Sequence, residues 1–241
     1  MTDMLFARDA YLQTSGAFVT AATEEGVVLD RTVSYPRGGG QPGDTGTITW
    51  GTGSCRITDT FRSKETGEVI HALDAPAPAV GTAVTVTVDW DRRHLLMRTH
   101  TALHALSGII FTEFGAKVTG GNMEPGIARM DFELESMSRE FGREIETKLN
   151  DALARDAEVH VRFVPRAEAL ADPSLARLKV DLIPADVDPI RVIEITGIDT
   201  QMDGGTHVAR TGEVGHVRVV KTGSKGKGNK RMRIELDPPS A

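Results

Sequence analysis

The chain reads as an α+β protein in two parts. A small β-barrel-like domain is expected over residues 1–90, and a layered α+β domain with a mainly antiparallel sheet over residues 91–241. Three observations lead there. Short β-branched runs separated by Gly and Pro fill the first ninety residues. Apolar residues then switch to helical spacing near Asp91-Arg92-Arg93. From there to the end, helical and strand-like stretches alternate.

In the first part, Val27-Val28-Leu29, Thr45 to Trp50, Arg56-Ile57-Thr58 and Ala83 to Val88 read as strands. Turns are marked at Pro36 to Gly46, Gly51-Thr52-Gly53 and Ala75 to Gly81. Such a pattern of short strands fits a small barrel, with at most a short helix near the start. The second part opens with a long helix from Asp91 to Phe114, on which Leu95, Leu96, Leu103, Leu106 and Ile110 recur, with Gly115 as its stop. Ala128 to Leu134 alternates as a strand. Ser138 is an N-cap with Glu140 in the first turn, and Phe141, Ile145, Leu149 and Ala152 form the apolar stripe that follows. Val159, Val161 and Phe163 alternate with His160 and Arg162, so a strand is expected there. Pro165 to Pro189 is read as a short helix and a loop, Ile190 to Ile195 as a strand, and Val214 to Val220 with Arg231 to Leu236 as a closing hairpin.

Composition is that of an ordinary soluble globular protein, with 26% charged and 39% apolar residues in 241. No apolar run reaches membrane-spanning length and no leader pattern opens the chain, so a cytoplasmic protein is expected. The lone cysteine, Cys55, excludes an internal disulfide and a thiolate-rich zinc site; a small, half-buried side chain is its expected role. The net charge of −6 does not mark a nucleic-acid binder. Yet Arg218, Lys221, Lys225, Lys227, Lys230, Arg231 and Arg233 follow one another with no acid between them.

The most specific pattern is a set of metal-ligating side chains. His100 and His104 lie four apart on the long helix and therefore on one face. Asp203 and His207 are also four apart, around Gly204-Gly205, whose freedom permits a tight turn. Imidazole and carboxylate ligands from two elements suit a zinc ion acting as Lewis acid or water activator. Thr101 stands where the His-Glu-x-x-His motif of zinc peptidases has its Glu, which disfavours that class. His71, His94, His160 and His216 lack such partners and are assigned surface or packing roles.

Met97-Arg98-Thr99-His100-Thr101-Ala102-Leu103-His104, Gly204-Gly205-Thr206-His207-Val208, Thr211-Gly212-Glu213-Val214-Gly215 and Lys225 to Arg231 together resemble the AlaX alanyl-tRNA editing family. They also resemble the editing domain of alanyl-tRNA synthetase. Tyr35 to Gly46 resembles the glycine-rich loop of the family's longer members, and the motifs follow the family's order along almost the whole chain. The resemblance implies ATP-independent hydrolysis of mischarged tRNA(Ala), chiefly the seryl and also the glycyl ester. It implies zinc (Zn2+) held by His100, His104 and His207, with Asp203 where many members have cysteine.

For recognising a serine hydroxyl, a nearby Thr or Gln is suited, since an unpaired buried polar group rejects the analogue lacking the hydroxyl. Thr119, Thr206 and Gln201 are the candidates, and Gln41 is the polar tip of the glycine-rich loop. Lys225, Lys227, Lys230 and Arg231 are candidate tRNA phosphate contacts. No Ser-His-Asp order and no activated Cys favours a covalent route. The implied partner is mischarged tRNA(Ala), with no membrane; monomer and homodimer both stay open. Two other readings also stay open: a different acyl-tRNA ester hydrolase, including one of the Gly-Gly-Gln kind at Gly39-Gly40-Gln41, and a tRNA-binding module with weak or no metal.

Overall fold

The structure is a computed structural model that describes residues 2–51, 53–175 and 187–238. The chain forms two compact units, 1–95 and 96–241. Its strands are almost all antiparallel, so the α+β class expected from sequence is the one observed.

The first unit contains β1 (Asp3–Met4), β2 (Thr14–Thr23), β3 (Gly26–Leu29), β4 (Arg31–Thr32), β5 (Gly46–Trp50), β6 (Gly53–Arg62), β7 (Val69–Leu73) and β8 (Ala83–Val88). Six of these close a barrel in the order β2-β3-β7-β6-β5-β8, while β1 and β4 make a short parallel pair. Period-two alternation decides what the barrel buries. Val84, Val86 and Val88 of β8 join Ala17, Val19, Val27, Leu29, Ile48 and Ile57 inside it. Cys55 is a member of this core and its thiol reaches the Pro76 carbonyl, so it is more deeply buried than expected. Burial, and then Asp74, push its pKa up.

The glycine-rich segment is bound into the same unit. Gly39 and Gly40 adopt left-handed φ values of 57° and 88°, which glycine alone takes without strain. Gly38 and Gln41 exchange both backbone hydrogen bonds across that turn. Gln41 is buried instead of sitting at a solvated tip. Below the turn, the fully buried Arg93 donates from Nε to Asp44 Oδ2 at 2.8 Å and from its terminal nitrogens to Val33 O and Ala10 O. Asp44 in turn accepts from Tyr35 N at 2.6 Å.

The second unit carries most of α1 (Trp90–Phe114), then β9 (Val118–Glu124), β10 (Ile127–Phe132), α2 (Arg139–Leu153), β11 (Val159–Val164), α3 (Arg166–Ala171), β12 (Ile190–Ile195), β13 (Asp199–Met202), β14 (Val217–Gly226) and β15 (Asn229–Leu236). Two sheets result, β14-β15-β10-β9 and β11-β12-β13. Helix α2 starts where Ser138 accepts from Phe141 N at 3.1 Å, and it buries Ile145, Leu149 and Ala152. Gly142 is bare on that face because a Cβ there would meet Thr222 Cγ2 of β14 at 2.8 Å.

Several elements differ from the sequence reading. Thr14–Thr23, Val69–Leu73, Val118–Glu124 and Asp199–Met202 are strands that periodicity did not mark. Thr211–Val214 is a 3-10 turn, so the closing hairpin begins at Val217. Arg98 of α1 clamps that turn by donating to Val214 O at 2.8 and 3.1 Å. The alternating strand β11 is an edge strand whose Val161 and Phe163 remain 38% and 46% exposed, so its alternation does not reflect a buried face. Within the Pro165 to Pro189 stretch, α3 and a 3-10 turn at Pro173–Leu175 are seen. The loop expected over 176–186 lies outside the described residues.

Two predictions follow from buried groups of the first unit. Arg93→Met leaves the Asp44 carboxylate buried and uncompensated, and stability in urea is expected to fall by about 3–5 kcal/mol. His71 is fully buried, accepts from Thr32 Oγ1 at 2.8 Å and donates to Val27 O at 3.3 Å. Burial lowers its pKa from 6.5 to about 4. In the unfolded chain the ring gains its proton near 6.5, whereas the folded ring refuses it until about 4. Stability from this group is therefore complete above 6.5 and is lost as pH falls to about 4, by roughly 3 kcal/mol. The difference in unfolding free energy between wild type and His71→Gln is expected to shrink by that amount across the same window.

Candidate metal centre

One turn of α1 sets His100 beneath His104, and both rings are buried. The segment after β13 returns Asp203 and His207 to the same point. Ligand atoms of all four residues lie within 4.8 Å of one another. His100 Nε2 is 3.6 Å and His104 Nε2 3.9 Å from Asp203 Oδ1, and His207 Nε2 is 3.1 Å from Asp203 Oδ2. The three ring centroids are 4.4 to 4.9 Å apart.

Three features outside the four residues hold this geometry. Gly108, one turn beyond His104, lets the strand connection lie directly on the helix: a Cβ there would stand 2.3 Å from Ile198 O and 2.9 Å from Asp199 Cβ. Arg191 of β12 donates from Nη1 to Asp203 O at 3.1 Å and to Gly205 O at 2.7 Å, clamping the turn between the two ligands. Asp203 Oδ2 accepts from Gly205 N at 2.6 Å. The turn thus rests on this side-chain-to-backbone bond and on Arg191; neither Gly204 nor Gly205 takes a left-handed φ.

Thr101 sets the orientation and tautomer of His207. Its hydroxyl is 2.9 Å from Met97 O, which can only accept, so the hydroxyl proton points there. Val208 N donates to the same oxygen at 3.2 Å. What the oxygen still offers His207 Nδ1, also at 3.2 Å, is a lone pair. Nδ1 therefore carries the ring proton, and Nε2 directs a lone pair at Asp203. His104 Nδ1 is 3.5 Å from Asp199 Oδ2 without hydrogen-bond alignment, and Gln201 Nε2 holds that carboxylate at 2.7 Å.

Burial is the largest influence on every ionisable group here. It lowers His100 to about 3 and holds His104 well below its ordinary value, with His207 also lowered. Burial opposes a charge on Asp203, but the neighbouring His100, His207 and His104 outweigh it and keep the carboxyl well below the usual range. At neutral pH the group is three uncharged imidazoles and one carboxylate, the protonation state a divalent cation requires of its ligands. Two acceptors facing each other at 3.1 Å, His207 Nε2 and Asp203 Oδ2, are reconciled by a cation shared between them. The donor set fits a metal ion on these grounds.

The other sequence candidates are placed as follows. Thr206 is fully buried beside His207, and Gln201 is buried on β13, committed through its amide to Asp199. Thr119 is exposed on β9 and bonds Asn229 Oδ1 at 3.2 Å. Gln41 lies in the first unit. In the hairpin, Arg231 makes a two-bond pair with Asp131 at 2.6 and 2.8 Å, Lys225 is 3.4 Å from the same carboxylate, and Lys230 is buried against Gly226 O. Lys227 is exposed at the turn. Sequence reasoning missed Thr101, Gly108, Arg191 and Asp199. Thr101→Val is expected to weaken metal binding about 10- to 100-fold, measured by competition with a chromogenic chelator, while Thr101→Ser retains it.

Comparisons with known proteins point to one family. The family described as threonyl and alanyl tRNA synthetase second additional domain matches residues 190–233, and class II (A) tRNA synthetases match residues 9–92. The alanyl-tRNA editing protein AlaX-M of Saccharolobus solfataricus is 36% identical over 99% of this chain and 100% of its own length. That of Methanosarcina barkeri is 35% identical over 98% of this chain and 99% of its own. The alanine–tRNA ligase of Pyrobaculum calidifontis is 35% identical over 91% of this chain, which corresponds to 25% of the ligase. With identity of this order sustained from end to end, the chain belongs to the AlaX family of alanyl-tRNA editing proteins.

Proposed function

We propose that this protein is an aminoacyl-tRNA deacylase that hydrolyses the ester of mischarged tRNA(Ala), chiefly seryl and also glycyl, with Zn2+ as its metal. The observation that carries the reading is the convergence of His100, His104, Asp203 and His207 within 4.8 Å, in a chain aligned end to end with editing proteins. Three nitrogens and one oxygen match zinc's preferred ligands.

The chemistry asks little else of the chain. The bound ion would act as a Lewis acid toward the attacking water or the substrate. His100, His104 and His207 offer neutral nitrogens, and Asp203 supplies the single negative charge. The four-residue group opens to solvent at Asp203 and Gly204, since Asp203 is 12% exposed and nothing lies within 4 Å of a Cβ built on Gly204. A tRNA 3′ end would approach from that side. No serine, cysteine or lysine belongs to the group of four, so water is the nucleophile in this reading. Choice of serine over alanine rests on hydrogen bonds to the extra hydroxyl, for which Thr206 and Gln201, next to the ligands in sequence, are the first candidates, with Thr119 of the same unit after them. Lys225, Lys227, Lys230 and Arg231 place a basic hairpin in the same unit for the phosphate backbone.

The test is deacylation of Ser-, Gly- and Ala-tRNA(Ala) by zinc-loaded protein, by chelated protein and by Asp203→Ala. Loss of the serine and glycine esters, sparing of the alanine ester and abolition by chelator are expected. Asp203→Ala is expected to lower both zinc content and rate. Hydrolysis no faster than background with zinc supplied would leave a tRNA-binding module instead. Unchanged zinc in the variant would remove Asp203 from the ligand set.

A further inference from the structure

The outer face of the sheet β14-β15-β10-β9 carries an arrangement that neither its packing nor the metal group explains. Cross-strand register places Lys221 opposite Arg233, Arg233 opposite Arg129, and Arg129 opposite Asn122. Three cations therefore stand in one transverse row across three adjacent strands. Strand spacing of about 4.8 Å puts neighbours within reach of each other's field, and like charges directly opposite destabilise a sheet.

The carboxylates nearby do not relieve that repulsion evenly. Asp131 is held by Arg231 and Lys225, with Arg129 3.6 Å away. Glu235 and Asp237 pair with Arg218. Lys221 and Arg233 are exposed and have no ion pair among the described residues. The opposite side of the same strands is apolar and buried, through Val217, Met232, Ile234, Ala128 and Met130. Gly223 and Gly120 flank the row on its own side, and a Cβ on Gly223 would meet nothing within 4 Å. No side chain at either position stands above the row, so an extended polyanion can lie close to the strands.

We infer that this face, through Lys221, Arg233 and Arg129, binds the sugar-phosphate backbone of tRNA. The inference rests on the functional reading above, because that reading supplies a polyanionic substrate to a chain of net charge −6. It moves the main phosphate contact from the hairpin tip, where Arg231, Lys225 and Lys230 are already engaged within the protein, to the flat sheet behind it. Repulsion within the row is relieved when phosphates lie against it, and released counterions favour binding.

Uncharged tRNA(Ala) is titrated by fluorescence anisotropy across a range of salt concentrations against wild type, Lys221→Gln/Arg233→Gln and the control Lys64→Gln. The double variant is expected to lose about 2 units of the log–log salt slope, while Lys64→Gln keeps the wild-type slope. Its thermal midpoint is expected to equal or exceed that of wild type, since a repulsive contact has been removed, and its zinc content to be unchanged. An identical slope in double variant and wild type overturns the proposal, and so does tRNA binding too weak to measure in wild type. Deacylation of Ser-tRNA(Ala) by the same wild-type preparation separates the two readings. Hydrolysis with an unchanged slope retires the sheet face alone. A reduced slope without hydrolysis keeps the sheet face and retires the editing activity.

Discussion

A carboxylate enclosed by three uncharged imidazoles is an arrangement that folding alone does not favour. Burial of Asp203 opposes its charge, and burial of His100, His104 and His207 opposes theirs. A lone protein could relieve this by protonating His207 Nε2, which faces Asp203 Oδ2 at 3.1 Å, yet burial lowers the pKa of that ring. What remains is a cluster of lone pairs around one point. A cation at that point would satisfy these groups, and the surrounding contacts keep them assembled.

Those devices come from segments about a hundred residues apart, and each removes one degree of freedom. Gly108 fixes how closely the strand connection approaches α1. Arg191 fixes the carbonyls of Asp203 and Gly205, and so the course of the turn. Thr101 ties α1 to the His207 segment through both a ring nitrogen and the Val208 N–H. Preorganisation of this kind separates a site that binds metal at low concentration from one that must order itself on binding.

The same division explains what sequence could and could not reveal. His100 and His104 are legible because the helical period alone puts them on one face, and Asp203 with His207 because spacing and residue type repeat that logic on a turn. The barrel is legible in outline from strands such as Ala83–Val88, whose alternation is strict. By contrast β9 contains Gly120-Gly121 and reads locally as a loop; its pairing with β10 makes it a strand. Strand β11 is legible from its alternation, although Val161 and Phe163 are exposed, so the pattern there marks the strand and not a buried face. Thr101, Asp199 and Gly108 carry no local signature, since their roles exist only where two distant segments touch. Lys221 and Arg233 could be counted as basic in sequence, but their alignment with Arg129 depends on a register that no single strand encodes.

Position 203 shows what a carboxylate brings to such a site. A cysteine there would offer one sulfur. Asp203 has two oxygens, and the fold uses them differently. Oδ2 accepts from Gly205 N at 2.6 Å, closing the turn, and also stands 3.1 Å from His207 Nε2, while Oδ1 faces His100 and His104 at 3.6 and 3.9 Å. A thiolate would have to accept the backbone N–H and ligate through one sulfur, at the longer hydrogen-bond distance sulfur requires. The carboxylate is the harder and shorter ligand, so it favours harder cations than sulfur would. It also builds its own turn, in a place where neither Gly204 nor Gly205 takes a left-handed conformation. Loss of the second oxygen should therefore loosen the turn as well as the ligand set. The two effects are separable because Arg191 continues to hold the carbonyls of Asp203 and Gly205 whichever side chain stands at 203.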